Sequence, residues 1–300
     1  MKRKLGVLLV LGAMAGSSAG AESGWRYRLP ETGLCPSYAC LTAVTRMGER
    51  HGGSHLSLLR GALTLPLSDP RRSGVGEWCF NAQLDVEGTR VDAGGIAGLA
   101  HDDFFRLALP MSFIRPETNG NRLTLSLAPG VAADSSSFSK GWDVGAAVGY
   151  SVRCSETLRY GLGLYVSPRF AQYGIVPLFS FEWKPARDWT VSLKNYRLSA
   201  MKSLSDKLEV GPFLAGTGGV WAAETPRGSR FFRVRSLVAG VRAEYDFSRV
   251  GQTKRILEFS VGSTLATTAG FCRRNAGKDV ESLHHYKPGL YLSAGVDFRF

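Results

Sequence analysis

From Glu77 onward the chain alternates. Trp78, Phe80, Ala82, Leu84 and Val86 fall on one side of an extended backbone. Glu77, Cys79, Asn81, Gln83, Asp85 and Glu87 fall on the other. Successive side chains of a strand point to opposite faces, so a period of two marks a strand with one oily face and one wet face. The rhythm returns at residues 105–113, 122–127, 142–153, 158–166, 177–184, 189–194, 208–214, 237–247, 257–265 and 290–300. Residues 196–202 form a return strand in the same series, and residues 59–67 alternate too, with Pro66 confining that segment to an edge or an end. Asn119-Gly120-Asn121, Ser155-Glu156-Thr157 and Pro185 to Asp188 read as turns. Short connections alternate with longer ones at residues 168–174, 222–230 and 270–284.

Alternation alone does not choose between a soluble β-sandwich and a membrane barrel. Aromatic residues near the strand ends do: Trp142 and Tyr150, Trp183 and Trp189, Tyr245 and Phe247. Amphipathic rings rest at the headgroup level of a bilayer. Glycines recur on the polar face, at Gly145, Gly149, Gly161, Gly163, Gly211, Gly240, Gly262 and Gly295, where they leave room in a lumen. The pattern predicts an all-β protein: a transmembrane antiparallel up-and-down β-barrel of about twelve strands, with ten to fourteen compatible.

The first 21 residues carry a different signature. Lys2, Arg3 and Lys4 precede an apolar run from Leu5 to Gly16, and Ala19-Gly20-Ala21 follows as a small-residue cleavage site. This is the build of a cleaved secretory signal, and the apolar run is shorter than the ~20 residues of a spanning helix. Residues 22–53 read as a periplasmic N-terminal segment, broken by Pro30, Gly33 and Pro36, with a short helix near residues 41–50. Residues 54–300 form the barrel. The formal charge is +12. Export argues against nucleic acid as the partner of that charge, and favours the phosphates of lipopolysaccharide or passing anions. Of the five cysteines, Cys35 and Cys40 are close enough in sequence to bridge in an oxidising compartment; Cys79, Cys154 and Cys272 are scattered. None has C-x-x-C spacing, and no metal site or cofactor is expected.

The final eleven residues end Ser293-Ala294-Gly295-Val296-Asp297-Phe298-Arg299-Phe300. The polar Ser293, Gly295 two places on, and Phe298 and Phe300 resemble the carboxy-terminal assembly signal of Gram-negative outer-membrane β-barrels. Ala294 is smaller than the family often has at a lipid-facing place. The resemblance implies an outer-membrane location, membrane lipids as surroundings and the barrel-assembly machinery as a partner.

The wet face supplies the candidate chemistry. Arg153, Arg159, Glu182, Arg242, Glu244, Asp246, Asp297 and Arg299 fall on the predicted lumen, within a wider mixture that includes Arg106, Arg122, Lys184, Glu209 and Glu258. Mixed signs favour a cross-strand lattice of ion pairs, since a paired charge inside costs far less than a lone one. Arg227, Arg230, Arg233 and Arg235 form a basic cluster suited to lipopolysaccharide. The leading functional expectation is an integral barrel, either a narrow channel for small solutes or a structural surface protein. A rim hydrolase at His101-Asp102-Asp103 is the enzymatic alternative, and a soluble periplasmic β-sandwich the third. His284-His285 with Asp279 and Glu281 also carries metal-ligand residue types.

Overall fold

A computed structural model of the chain describes residues 36–50, 53–68, 76–94, 99–167, 175–194, 196–225, 230–248, 254–272 and 280–299. Residues 1–21, expected to be a signal, lie outside the described residues, as do Cys35, Arg227, Asp279 and Phe300.

The first strands are β1 (Pro36–Gly48), β2 (His55–Pro66), β3 (Cys79–Asp92), β4 (Asp103–Ala108), β5 (Met111–Pro116) and β6 (Arg122–Asp134). A 3-10 turn at Phe138–Lys140 leads to β7 (Trp142–Arg153), β8 (Leu158–Val166), β9 (Ile175–Ala186), β10 (Trp189–Lys194) and β11 (Arg197–Ser203). The tallest strands come last: β12 (Leu208–Ala223), β13 (Arg230–Asp246) and β14 (Lys254–Cys272), followed by β15 (Val280–Tyr286) and β16 (Leu290–Arg299). Neighbours in sequence pair antiparallel, and the ring closes where β1 lies against β16, from Pro36 opposite Arg299 to Val44 opposite Tyr291. Two staves are each built from two segments. β4 and β5 share β3 and β6 as neighbours, and β15 and β16 share β14. The sixteen segments therefore make a closed barrel of fourteen staves.

This settles several expectations. The even count falls at the upper end of the compatible range. A sandwich has two sheets with free edges, and a closed ring has neither. Within the leader expected over residues 22–53, with its helix near 41–50, the structure has β1, which is laddered to β16 on one side and β2 on the other. Ala39, Leu41 and Ala43 face out and Cys40, Thr42 and Val44 face in, but small side chains on both faces mute the alternation. Two hydrogen-bond ladders outweigh a weak helical preference. The expected loops at 222–230 and 270–284 are also narrower, because β12 runs on to Ala223 and β14 to Cys272.

The outward face is the apolar one. Phe80, Leu125, Val148, Leu162, Phe179, Val241, Phe259 and Leu292 are all exposed on it. Inward positions hold small polar pairs such as Ser112 with Ser126 at 3.0 Å and Thr42 with Ser293 at 3.2 Å. Water covers such an outer belt at a cost of roughly 25 cal/mol per Å². Hydrocarbon removes that cost, and ring closure meets hydrocarbon's demand that every backbone polar group be paired internally. The barrel is a transmembrane one. Trp142, Trp183, Tyr150 and Tyr245 stand exposed near strand ends, where an interfacial girdle belongs.

The outward belt generates a direct expectation. Leu162, 53% exposed at the middle of β8, faces lipid. Leu162→Arg lowers the free energy of folding into vesicles by ~2–4 kcal/mol, the cost of a cation near the bilayer midplane, read by denaturant titration of the reconstituted barrel.

Candidate functional site

Inward-facing side chains line a polar lumen, and its two ends differ. Connections at 117–121, 154–157, 187–188 and 204–207 are short and lie at the end where β1 begins and β16 finishes. The opposite end carries the connections at 93–102, 135–141, 224–229 and 273–279.

At this second end the lumen is filled. β12 pairs with β11 only as far as Ala215, opposite Arg197. Beyond that point its tip meets β6 instead, where Ala222 bridges Ala133 in parallel. The wall at this level runs from β6 to β12 and leaves out β7 to β11. Gly218 makes the departure possible, at φ +146°, a backbone state that side chains disfavour. Gly219 makes room for Trp221, whose indole lies where a Cβ on Gly219 would sit, 2.3 Å away. Trp221 is 1% exposed and packs on Phe104 at 5.2 Å between centroids. Phe104 stacks on Phe232 at 5.7 Å, and Phe232 meets Phe271 at 5.5 Å. Met47, Leu56 and Val91 complete an apolar dome across the mouth.

Polar groups pin the dome. Asp134, at the top of β6, accepts from the backbone N–H of Ser136 and Ser137 through Oδ1 and from that of Glu224 through Oδ2, at 2.7–3.0 Å. Arg60 of β2 donates through Nη2 to the Gly218 carbonyl at 2.9 Å. Its Nε lies 3.2 Å from Glu87 Oε1, and its guanidinium lies 5.9 Å from the Trp221 ring centroid. Arg60 was missed from sequence because Leu59 and Gly61 beside it read as the strand's signal.

Below the dome runs a lattice of charges. Arg242 Nη2 lies 2.9 Å from Glu244 and 2.7 Å from Glu258. Arg197 Nη1 reaches the other oxygen of Glu258 at 3.4 Å, with its guanidinium over Phe213. The register sets Glu209, Glu244 and Glu258 side by side across β12, β13 and β14. Three carboxylates in a row repel, and the two arginines offset that repulsion. Asp246 accepts from Ser248 and lies 3.7 Å from Lys254. Asp297 is buried on the inward face of β16. Arg299 ends that strand opposite Lys254 and Pro36. On the other wall, Glu182 holds Lys194 at 2.5 Å, and Arg153 and Arg159 stand at the short-turn mouth.

The remaining candidates are placed as follows. Gly295 faces inward and lies close against the β1 backbone, 3.1 Å from its would-be Cβ to the Ala39 carbonyl. Phe298 faces out and carries the Arg255 guanidinium at 5.9 Å. Ser293 joins the Thr42 hydroxyl across the closing seam. Of the basic cluster, Arg235 is exposed, Arg230 is half-buried, and Arg233 is 6% exposed inside the packing of the dome. His101 Nε2 lies 2.8 Å from Ser136 Oγ at the rim. Among the described residues no carboxylate stands within ion-pair distance of that ring, and no group of three His, Cys, Asp or Glu side chains converges on a metal position. His284 instead pairs with Glu49 at 2.7 Å.

Two expectations follow from these contacts. Glu258→Gln removes the carboxylate that Arg242 and Arg197 share in a site where its side chain is 7% exposed. The variant loses ~3–5 kcal/mol of stability, the cost of breaking a buried pair from one side, measured by equilibrium unfolding. At the loop end, a hydrogen bond from Ser54 and then contact with His284 hold the Glu49 carboxyl below its ordinary value. A lowered pKa gives stability that is full above the ordinary carboxylate range and lost as pH falls through the lowered value. Replacing His284 with Ala therefore brings acid-induced loosening of the rim to a higher pH, read by hydrogen exchange at 49–54.

Comparison with solved structures returns barrels at low identity. The outer membrane channel COG4313 from Pseudomonas putida F1 has 14% identity, a TM-score of 0.49, and covers 94% of this chain and 100% of its own. The Pseudomonas putida toluene transporter TodX has 10% identity and a TM-score of 0.36, covering 96% of each chain. The NanC porin has 8% identity and a TM-score of 0.34, covering 87% of this chain and 100% of its own. At these scores the functional argument rests on the chain's own geometry. No curated protein matches. A family model does match, over residues 95–299, and the chain belongs to that family, described as Domain of unknown function (DUF6268).

Proposed function

We propose that this protein is an integral β-barrel of a Gram-negative outer membrane that conducts small polar solutes, with the tips of β12, β13 and β14 as its closure. One observation carries the reading. Inward side chains just fill a barrel of about eight strands, whereas larger barrels enclose a cavity or a channel. Among the described residues, fourteen staves leave a lumen that the inward-bent tips block at one end.

The rest of the assignment follows general barrel physics. The signal at residues 1–21 supports export, and the terminal Ser293, Gly295, Phe298 and Phe300 support delivery by the barrel-assembly machinery. Short turns face the periplasm in bacterial barrels and longer loops face outside, so the dome is extracellular. Arg235 and Arg230, on the upper part of β13, are the candidates for lipopolysaccharide phosphates.

Planar-bilayer recording tests the reading. The wild-type barrel opens rarely and to small, discrete currents. Trp221→Ala removes the dome's central ring. Losing ~1.4 kcal/mol of closed-state packing raises the open population about tenfold. Two folded, heat-modifiable proteins that both stay silent under voltage would leave a structural barrel.

A further inference from the structure

We propose that the periplasmic mouth of the lumen holds a binding site for a small oxyanion, built by Arg122, Arg153 and Arg159. The three belong to β6, β7 and β8, adjacent staves, and their side chains line one cleft of about 650 Å³ together with the turn at 117–121. Arg153 and Arg159 are direct cross-strand partners in the β7–β8 register. Like charges set opposite each other on a sheet repel. A structural lattice places a carboxylate at such a pair, as Glu258 does for Arg242 and Arg197 on the far wall.

Two of the carboxylates near Arg153 and Arg159 hold other partners. Glu182 stands beside Arg159 in register, but its oxygen bonds Lys194 at 2.5 Å, and Lys184 lies 4.0 Å away. Glu117 accepts from the Tyr150 hydroxyl at 2.7 Å. Glu156 is exposed on the turn at the cleft's lip. The cluster is also held in place. The backbone N–H of Arg153 donates to Asn121 Oδ1 at 3.0 Å, and Gly120, at φ +75°, packs its turn against the Arg153 stem. Asn121 in turn donates to the Tyr150 hydroxyl at 3.2 Å. Positioned guanidiniums around a shared space recognise phosphate or carboxylate groups through paired N–H donors. The side chains face the lumen, so the anion comes from the aqueous path.

The role of this site as a capture point rests on the conduit reading above; the binding itself does not. The test is therefore calorimetric and needs no current. Inorganic phosphate is titrated into the full-length barrel in neutral detergent. Wild type gives saturable heat, and Arg153→Gln and Arg159→Gln each weaken binding about tenfold or more, since each removes charge-assisted bonds. Arg90→Gln, exposed on β3 at the other end, leaves affinity unchanged. Heat-modifiable migration on gels verifies that each variant is folded. A flat titration for wild type, or variants that bind as wild type does, overturns the proposal. So does loss of phosphate binding when phosphatidylglycerol at constant ionic strength fills the site, because that assigns it to a lipid headgroup. A silent bilayer with a positive titration defeats the conduit alone, and a flat titration with a conducting barrel defeats the anion site alone.

Discussion

Hydrocarbon offers a peptide group nothing to bond with, and that constraint shapes every stave of this protein. Each strand must be flanked on both sides, so the two ends of the described chain have to meet. They do so along β1 and β16, whose ladder runs from Pro36 opposite Arg299 up to Val44 opposite Tyr291. The closing seam is made by segments far apart in sequence, and loop-closure entropy opposes such a meeting until the ladder itself compensates. Small inward residues there, with Thr42 against Ser293 and Gly295 tight against Ala39, let the last ladder form without steric conflict.

Closing the backbone creates a second demand. A fourteen-stave ring is wider than its own inward side chains can fill. The protein answers differently at the two ends. At the loop end, β12 exchanges one neighbour for another and carries an aromatic stack across the opening, from Phe104 through Phe232 to Phe271. At the short-turn end, it leaves space lined by short polar side chains and balanced charges. Packing against lipid on one face and against the dome on the other gives β13 and β14 their unusual height.

The same division explains what could be read from the chain. Alternation is legible where one face meets lipid and the other meets a polar lumen, as in β7, β8 and β16. It fails at 218–223, 232–234 and 269–272, because both faces there are buried and small or aromatic residues serve on either side. The fold class was therefore visible and the dome was not. Among charges, Arg242 with Glu244 lay two apart on one strand and could be foreseen as a lumen pair. Its bond to Glu258 could not, since register between β13 and β14 is set by hydrogen bonding along both strands. Arg233 misled for a related reason: its neighbours Arg230 and Arg235 suggested a surface cluster, but its strand turns into the dome. The first strand was hidden by residues that suit a helix as well as a sheet.

The two walls of the lumen also separate structure from recognition. β7 and β14 stand half-way round the ring from one another. On the β12–β14 wall, acids outnumber the bases they face, and each guanidinium is held by carboxylates at short range; such a lattice fixes strand register and resists rearrangement. On the β7–β8 ladder, Arg153 and Arg159 face each other, while Glu182 bonds Lys194 and Glu117 bonds Tyr150. Stability alone would remove that repulsion by a single substitution at Arg153. Its presence beside an open cleft is the cost that proteins accept where a site must bind something, since most sequences carry such local penalties only at functional positions.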